Sequence, residues 1–85
     1  MSKYDPLYKW LSAKSASNGT KIPATFEQIE AILGFELPAT ARMKPQWWGN
    51  EKSDSSHTQC KVWLNAGFET RELSIPNETV KFEKV

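Results

Sequence analysis

The sequence predicts a single small α+β domain, with a helix-rich N-terminal half and a β-hairpin at its C-terminal end. Three observations lead there. Apolar residues recur at helical spacing behind good N-terminal capping residues up to Gly67. After Gly67 the pattern changes to apolar–polar alternation, broken by Pro76-Asn77-Glu78. The chain has 85 residues, enough for one core, so residues 1–85 read as one domain.

Asp5-Pro6 opens the first helix. Asp5 suits the N-cap, and Pro6 at the first helical position lacks only an N–H that would have no partner there. Leu7, Tyr8 and Leu11 form its apolar stripe, flanked by Trp10, and the pattern ends near Lys14. A polar loop, Ser15 to Thr20, follows. Lys21 to Ala24 is short and extended, and Pro23 cannot donate to a ladder, so this strand belongs at a sheet edge.

Thr25-Phe26-Glu27-Gln28 is a capping box, with Thr25 capping and Gln28 reaching back. The second helix runs from Phe26 to Leu33 and buries Phe26, Ile29, Ile32 and Leu33. Gly34 stops it in the left-handed conformation, with Phe35 folding back on the last turn. Leu37 to Arg42 is a further short helix, begun by Pro38 and ended by Pro45. Gln46-Trp47-Trp48-Gly49-Asn50 leads into a polar loop, Glu51 to Ser55. The third full helix begins at Ser56, with Gln59 as its capping-box partner, and buries Cys60, Trp63, Leu64 and Ala66. The first hairpin strand is Phe68 to Ile75, with Leu73 and Ile75 on one face. The return strand is Thr79 to Glu83, with Val80 and Phe82 toward the core. Thr70, Glu72, Lys81 and Glu83 then face water and pair across the strands. This element order is that of a small winged-helix-like domain: three main helices, and a C-terminal β-hairpin that pairs with a short edge strand.

The residues Tyr4-Asp5-Pro6-Leu7-Tyr8, Thr25 to Gly34, Leu37 to Arg42, Trp47-Trp48-Gly49-Asn50 and Gln59 to Phe68 stand together as a set. In that set the chain resembles an uncharacterised family of small bacterial and phage proteins, from Tyr4 to about Phe82. The resemblance implies an autonomous domain of bacterial or phage origin and implies no activity.

Composition narrows the function classes. Apolar residues make up 39% of the chain, including four Trp, four Phe and two Tyr. A few such rings can supply a small core, each removing roughly 150–250 Å² from water. Cys60 is the single cysteine, so no intramolecular disulfide forms. No run approaches the ~20 apolar residues that span a bilayer, and Met1 to Asp5 carry no apolar leader. The expected compartment is cytoplasmic, with no membrane partner. Net charge is +1, which gives no global field for steering. The middle third is mildly basic, with Arg42, Lys44, Lys52 and Lys61 against Glu51 and Asp54.

Two features carry the functional reading. Adjacent residues of a regular element cannot both face one core, so Trp47 and Trp48 offer either core filling or a stacking platform for a base. Asn50, Lys52, Ser53, Ser55, Ser56, His57, Thr58 and Lys61 run into a helix N-terminus. Free N–H groups, a positive dipole end and nearby cations suit a phosphate there. Exposed Thr58, Lys61 and Asn65 would face a groove, and Arg42 and Lys44 flank the region. The ordinary alternative is a capped helix with a solvated face.

His57 and Cys60 share a helix face, but a metal site needs three or four ligands and no spacing supplies the rest. Cys60 reads as a small buried hydrophobe. Glu27, Glu30 and Glu36 read as solubilising charges, and no glycine-rich phosphate loop is present. No enzyme, metal or cofactor is expected.

Two functions remain. The first is a non-catalytic nucleic-acid-binding domain, with DNA the expected ligand. It would use Arg42, Lys44, Trp48, Asn50, Lys52, Ser55, His57, Thr58, Lys61 and Asn65, and a homodimer would offset the near-neutral charge. The second is a protein-interaction module docking through exposed Trp10, Trp47 or Trp48.

Overall fold

The strand made last of the three lies in the middle of the sheet. A computed structural model describes residues 3–14, 16–50 and 58–85. Among these residues the order is α1 (Asp5–Ser12), β1 (Lys21–Thr25), α2 (Phe26–Leu33), α3 (Ala39–Met43), a 3-10 turn (Pro45–Trp48), α4 (Thr58–Asn65), β2 (Phe68–Ser74) and β3 (Thr79–Lys84). The sheet order is β1-β3-β2, and both pairings are antiparallel. The expected α+β architecture holds, with a hairpin pairing to a short edge strand.

Lys21 stands opposite Glu83, Pro23 opposite Lys81 and Thr25 opposite Thr79. The ladder is extended at both ends, where Lys84 N–H donates to Thr20 O and Phe26 N–H to Glu78 O. Antiparallel hydrogen bonding alternates along a strand. Ile22 and Ala24 therefore turn their backbone groups to β3, and Pro23 turns its own to the open edge. The missing N–H of Pro23 costs no ladder bond.

α2 has the expected bounds and buries Phe26, Ile29 and Leu33, while Ile32, expected with them, is half-buried. Thr25 Oγ1 accepts from Gln28 N–H at 3.0 Å, and Gly34 closes the helix at φ 84°, donating its N–H to Glu30 O at 2.8 Å. α1 differs by one residue at its start: Asp5 lies inside the helix and Tyr4 takes the cap position. Leu7 N–H bonds to Tyr4 O, and Tyr4 is itself buried, edge-on to Phe35 and Trp47. Burial of the preceding aromatic sets the helix start, and Asp5 instead sits against the positive end of the helix dipole. Tyr8 leaves the expected stripe: Leu7 and Leu11 are buried, whereas Tyr8 is exposed. α1 ends at Ser12, short of Lys14.

α3 begins at Ala39 with Pro38 at its cap. Pro45, expected only to end it, also opens the 3-10 turn that carries both Trp47 and Trp48. The expected helix start at Ser56 lies outside the described residues.

β2 differs from its expected pattern for a physical reason. Arg71 pairs with Lys81 but Ser74 with Thr79, so one extra residue is inserted between them, and Glu72 there has φ 49°. A bulge of this kind reverses which side chains face inward. Phe68 and Thr70 are buried before it; Leu73 and Ile75 pack against the core after it. Thr70, expected in water, is thus a correction: it is buried and its Oγ1 donates to Trp48 O at 2.5 Å. Val80 and Phe82 are fully buried as expected. Lys81 and Lys21 both pair with Glu72 across the solvent face, and Arg71 pairs with Glu69 and Glu83.

At the centre of the core Phe26, Trp48 and Trp63 form a stack. Phe26 and Trp48 lie 4.9 Å apart at 15°, and Trp48 and Trp63 6.0 Å apart at 16°. Leu11, Ala24, Ile29, Phe68, Val80 and Phe82 pack with it in one core, which joins all three strands to α1, α2 and α4.

Candidate nucleic-acid interface

The residues singled out from sequence divide into three groups. The first group is committed to the fold. Trp48 is buried, and its Nε1–H donates to Ala41 O at 2.8 Å. Its ring is sandwiched by Phe26 and Trp63, so it offers no face to a base, which corrects the stacking-platform reading. Trp47 is half-buried against Tyr4, Trp48 and Trp63.

Asn50 is also spent inside the molecule. Its Oδ1 accepts from Thr70 N–H at 2.9 Å and from Trp63 Nε1–H at 3.2 Å, and its Nδ2 donates to Thr70 O at 3.2 Å. Reading it as a phosphate contact is corrected accordingly. Arg42 is likewise engaged within the chain. Its guanidinium bonds Glu30 at 2.7 Å and also Glu78, so it clamps α2 and α3 to the hairpin tip. Two carboxylates neutralise it in this structure. Glu30, taken from sequence as a solubilising charge, accepts both from Arg42 and from Leu37 N–H. Those bonds, led by the one from Arg42, hold its carboxyl below the ordinary glutamate value of 4.5.

The second group is open to solvent. Lys44 follows α3 and is exposed. Lys61 and Asn65 are exposed one turn apart on α4, while Cys60, Val62 and Trp63 on its other side are buried. α4 packs against α1 and β2. At the α1 junction Asp5, Tyr8 and Lys9 line a furrow of about 530 Å³ with Asn65. The spacing of Asp5, Tyr8 and Lys9 puts them on one face of α1. Sequence reasoning missed Tyr8 and Lys9 at this place. Their helical spacing was visible, but which helix they would meet was not.

The third group, Lys52, Ser55 and His57, lies outside the described residues, as does the side chain of Thr58. The expected phosphate cradle at the start of α4 and the His57–Cys60 pair fall with them. Cys60 itself is buried. Among the described residues no cluster of His, Cys, Asp or Glu is placed to hold a metal ion, and no helix is long and apolar enough to cross a membrane.

Comparison with known proteins adds the family. No curated protein and no solved structure matches the chain. A family model described as a domain of unknown function, DUF7662, matches residues 4–85, nearly the whole length. The chain belongs to the DUF7662 domain family.

Proposed function

We propose that this domain is a winged-helix-like nucleic-acid-binding unit, with duplex DNA its expected ligand and α4 its contacting helix. The observation that carries the reading is the pairing of sheet order with helix exposure. The strands run β1-β3-β2, and the helix directly before the hairpin turns Lys61 and Asn65 to solvent, with Asn65 in the furrow that Asp5 and Lys9 also line. Lysines supply sequence-independent phosphate contact, and an exposed asparagine carries the donor–acceptor pair that suits a base edge. Lys44 and Lys52 extend the basic character of the middle third. With Trp48 buried and Arg42 neutralised, contact rests on α4 and α1 instead of the Trp-Trp turn.

The test is a fluorescence-anisotropy titration of a labelled duplex and a labelled single strand at two salt concentrations. Binding weakens with salt, and Lys61→Glu weakens it further while lowering the salt slope by about one. No binding of either probe at low salt overturns the reading.

A protein-interaction module is the second reading. Its aromatic anchors are reduced, since Trp48 is buried and Trp10 and Trp47 are half-buried. What favours it is Met43, 71% exposed beside Lys44 at the end of α3. Met43→Asp would abolish capture of such a partner and leave nucleic-acid binding unchanged.

A further inference from the structure

β2 is an edge strand, and an edge strand presents unpaired N–H and C=O groups to any other extended chain. Its pairing with β3 determines which groups those are. Val85 N–H donates to Gly67 O, and Glu69 and Arg71 stand opposite Glu83 and Lys81. Alternation then turns the Thr70 backbone away from β3, to the outer edge. One side chain meets both Thr70 groups there, and Arg71 Nη1–H also donates to Thr70 O at 2.9 Å. Asn50 Nδ2 donates to Thr70 O, and Asn50 Oδ1 accepts from Thr70 N–H. A carboxamide has the same donor and acceptor as a peptide group, so Asn50 stands where a fourth strand would.

The flanking side chains determine what that strand would be. Glu69 and Arg71 lie on either side of Thr70, on the sheet face opposite the core. If a second β2 is laid antiparallel with Thr70 opposite Thr70, each Arg71, which pairs with Glu69 and Glu83 of its own chain, falls opposite Glu69 of the second copy and can exchange one carboxylate for the other. Opposite charges directly across an antiparallel pair are favourable. The match is self-complementary, as a two-fold interface requires. The bulge at Glu72 limits the pairing to a few residues. So short a ladder gives little return against the entropy lost on association, and the intramolecular amide wins.

We infer that Asn50 is an edge guard: its side chain keeps β2 from pairing with β2 of a second copy of this chain, and its removal converts the domain to an antiparallel β2–β2 dimer. This inference is independent of what α4 binds.

Asn50→Ala tests it by sedimentation and by hydrogen exchange across a concentration series. The apparent mass doubles with concentration, and the Thr70 amide exchanges quickly in the dilute variant and slowly in the concentrated one. Arg71→Glu on that background returns the protein to a monomer, because carboxylates then oppose each other across the β2–β2 pair. Adding Glu69→Arg restores the dimer. A folded Asn50→Ala chain that stays monomeric at millimolar concentration overturns the inference. So does a dimer indifferent to Arg71→Glu. Should Asn50→Ala fail to fold by circular dichroism, Asn50→Asp keeps an acceptor for Thr70 N–H and Trp63 and replaces the donor with a charged oxygen; the mass reading across the concentration series then decides.

Discussion

Glu30 and Arg42, twelve residues apart, meet at 2.7 Å, and through that contact the last turn of α2 holds α3. Arg42 also reaches Glu78 at the hairpin tip, so one guanidinium joins three parts of the chain. Arg42→Ala therefore lowers the midpoint of thermal unfolding, and Arg42→Lys recovers only part of the loss, since an ammonium cannot present the same fork to two carboxylates. In a double-mutant cycle Arg42→Ala and Glu30→Gln are not additive. Additive losses would mean that the pair is not coupled.

The same contact gives stability a pH dependence of known sign. Glu30 is held below its ordinary value by Arg42 first and the Leu37 N–H second. Glu72 is held below its own by Lys21 and then Lys81. A carboxyl with a depressed folded pKa stabilises the fold above its unfolded value near 4.5, and that contribution is lost as pH falls through the folded value. Urea midpoints should fall as pH is lowered below about 4.5, and Glu30→Gln should flatten part of that slope.

Trp48 lies between Phe26 and Trp63 and donates to Ala41 O. Trp48→Ala should cost roughly 3–5 kcal/mol, the range for a large buried aromatic, read from urea denaturation. Trp48→Phe keeps the ring stack but leaves Ala41 O without its donor, and should cost less. A surface role for Trp48 would instead leave stability within about 0.5 kcal/mol of the parent.

Gly34 sits at φ 84° with open space where a side chain would go. A substitution there meets no neighbour, so its cost is backbone strain alone. Gly34→Ala should destabilise by about 1–2 kcal/mol, and Gly34→Asn by less, because Asn tolerates the left-handed region better. Thermal melts of the two variants would rank them.

How far the sequence could be read depends on the distance over which each signal acts. The bounds of α2 were legible because Thr25 and Gly34 act within one or two turns. The hairpin and the edge role of β1 were legible for the same reason, through Pro76-Asn77 and Pro23. The inward turn of Thr70 was not, because it depends on a bulge at Glu72, where the residue type carries no bulge signal. Among site residues, Lys44, Lys61 and Asn65 lie at the surface as expected. Arg42, Trp48 and Asn50 each have partners inside the chain that the sequence did not show. A cation, an indole and an amide look the same in a sequence whether they meet solvent or a partner. Their partners, Glu78, Trp63 and Thr70, lie far along the chain.

The position of β3 between β1 and β2 also bears on how the domain is made. During synthesis the helices and two of the three strands leave the ribosome before the strand that joins them. Until then β1 has no partner, and α2 lacks Val80 and Phe82 beneath it. Closing the sheet brings together segments separated by more than half the chain, which is the kind of contact that slows folding most. A nascent chain halted before Thr79 should therefore stay open and protease-sensitive, and a single short strand then completes the fold.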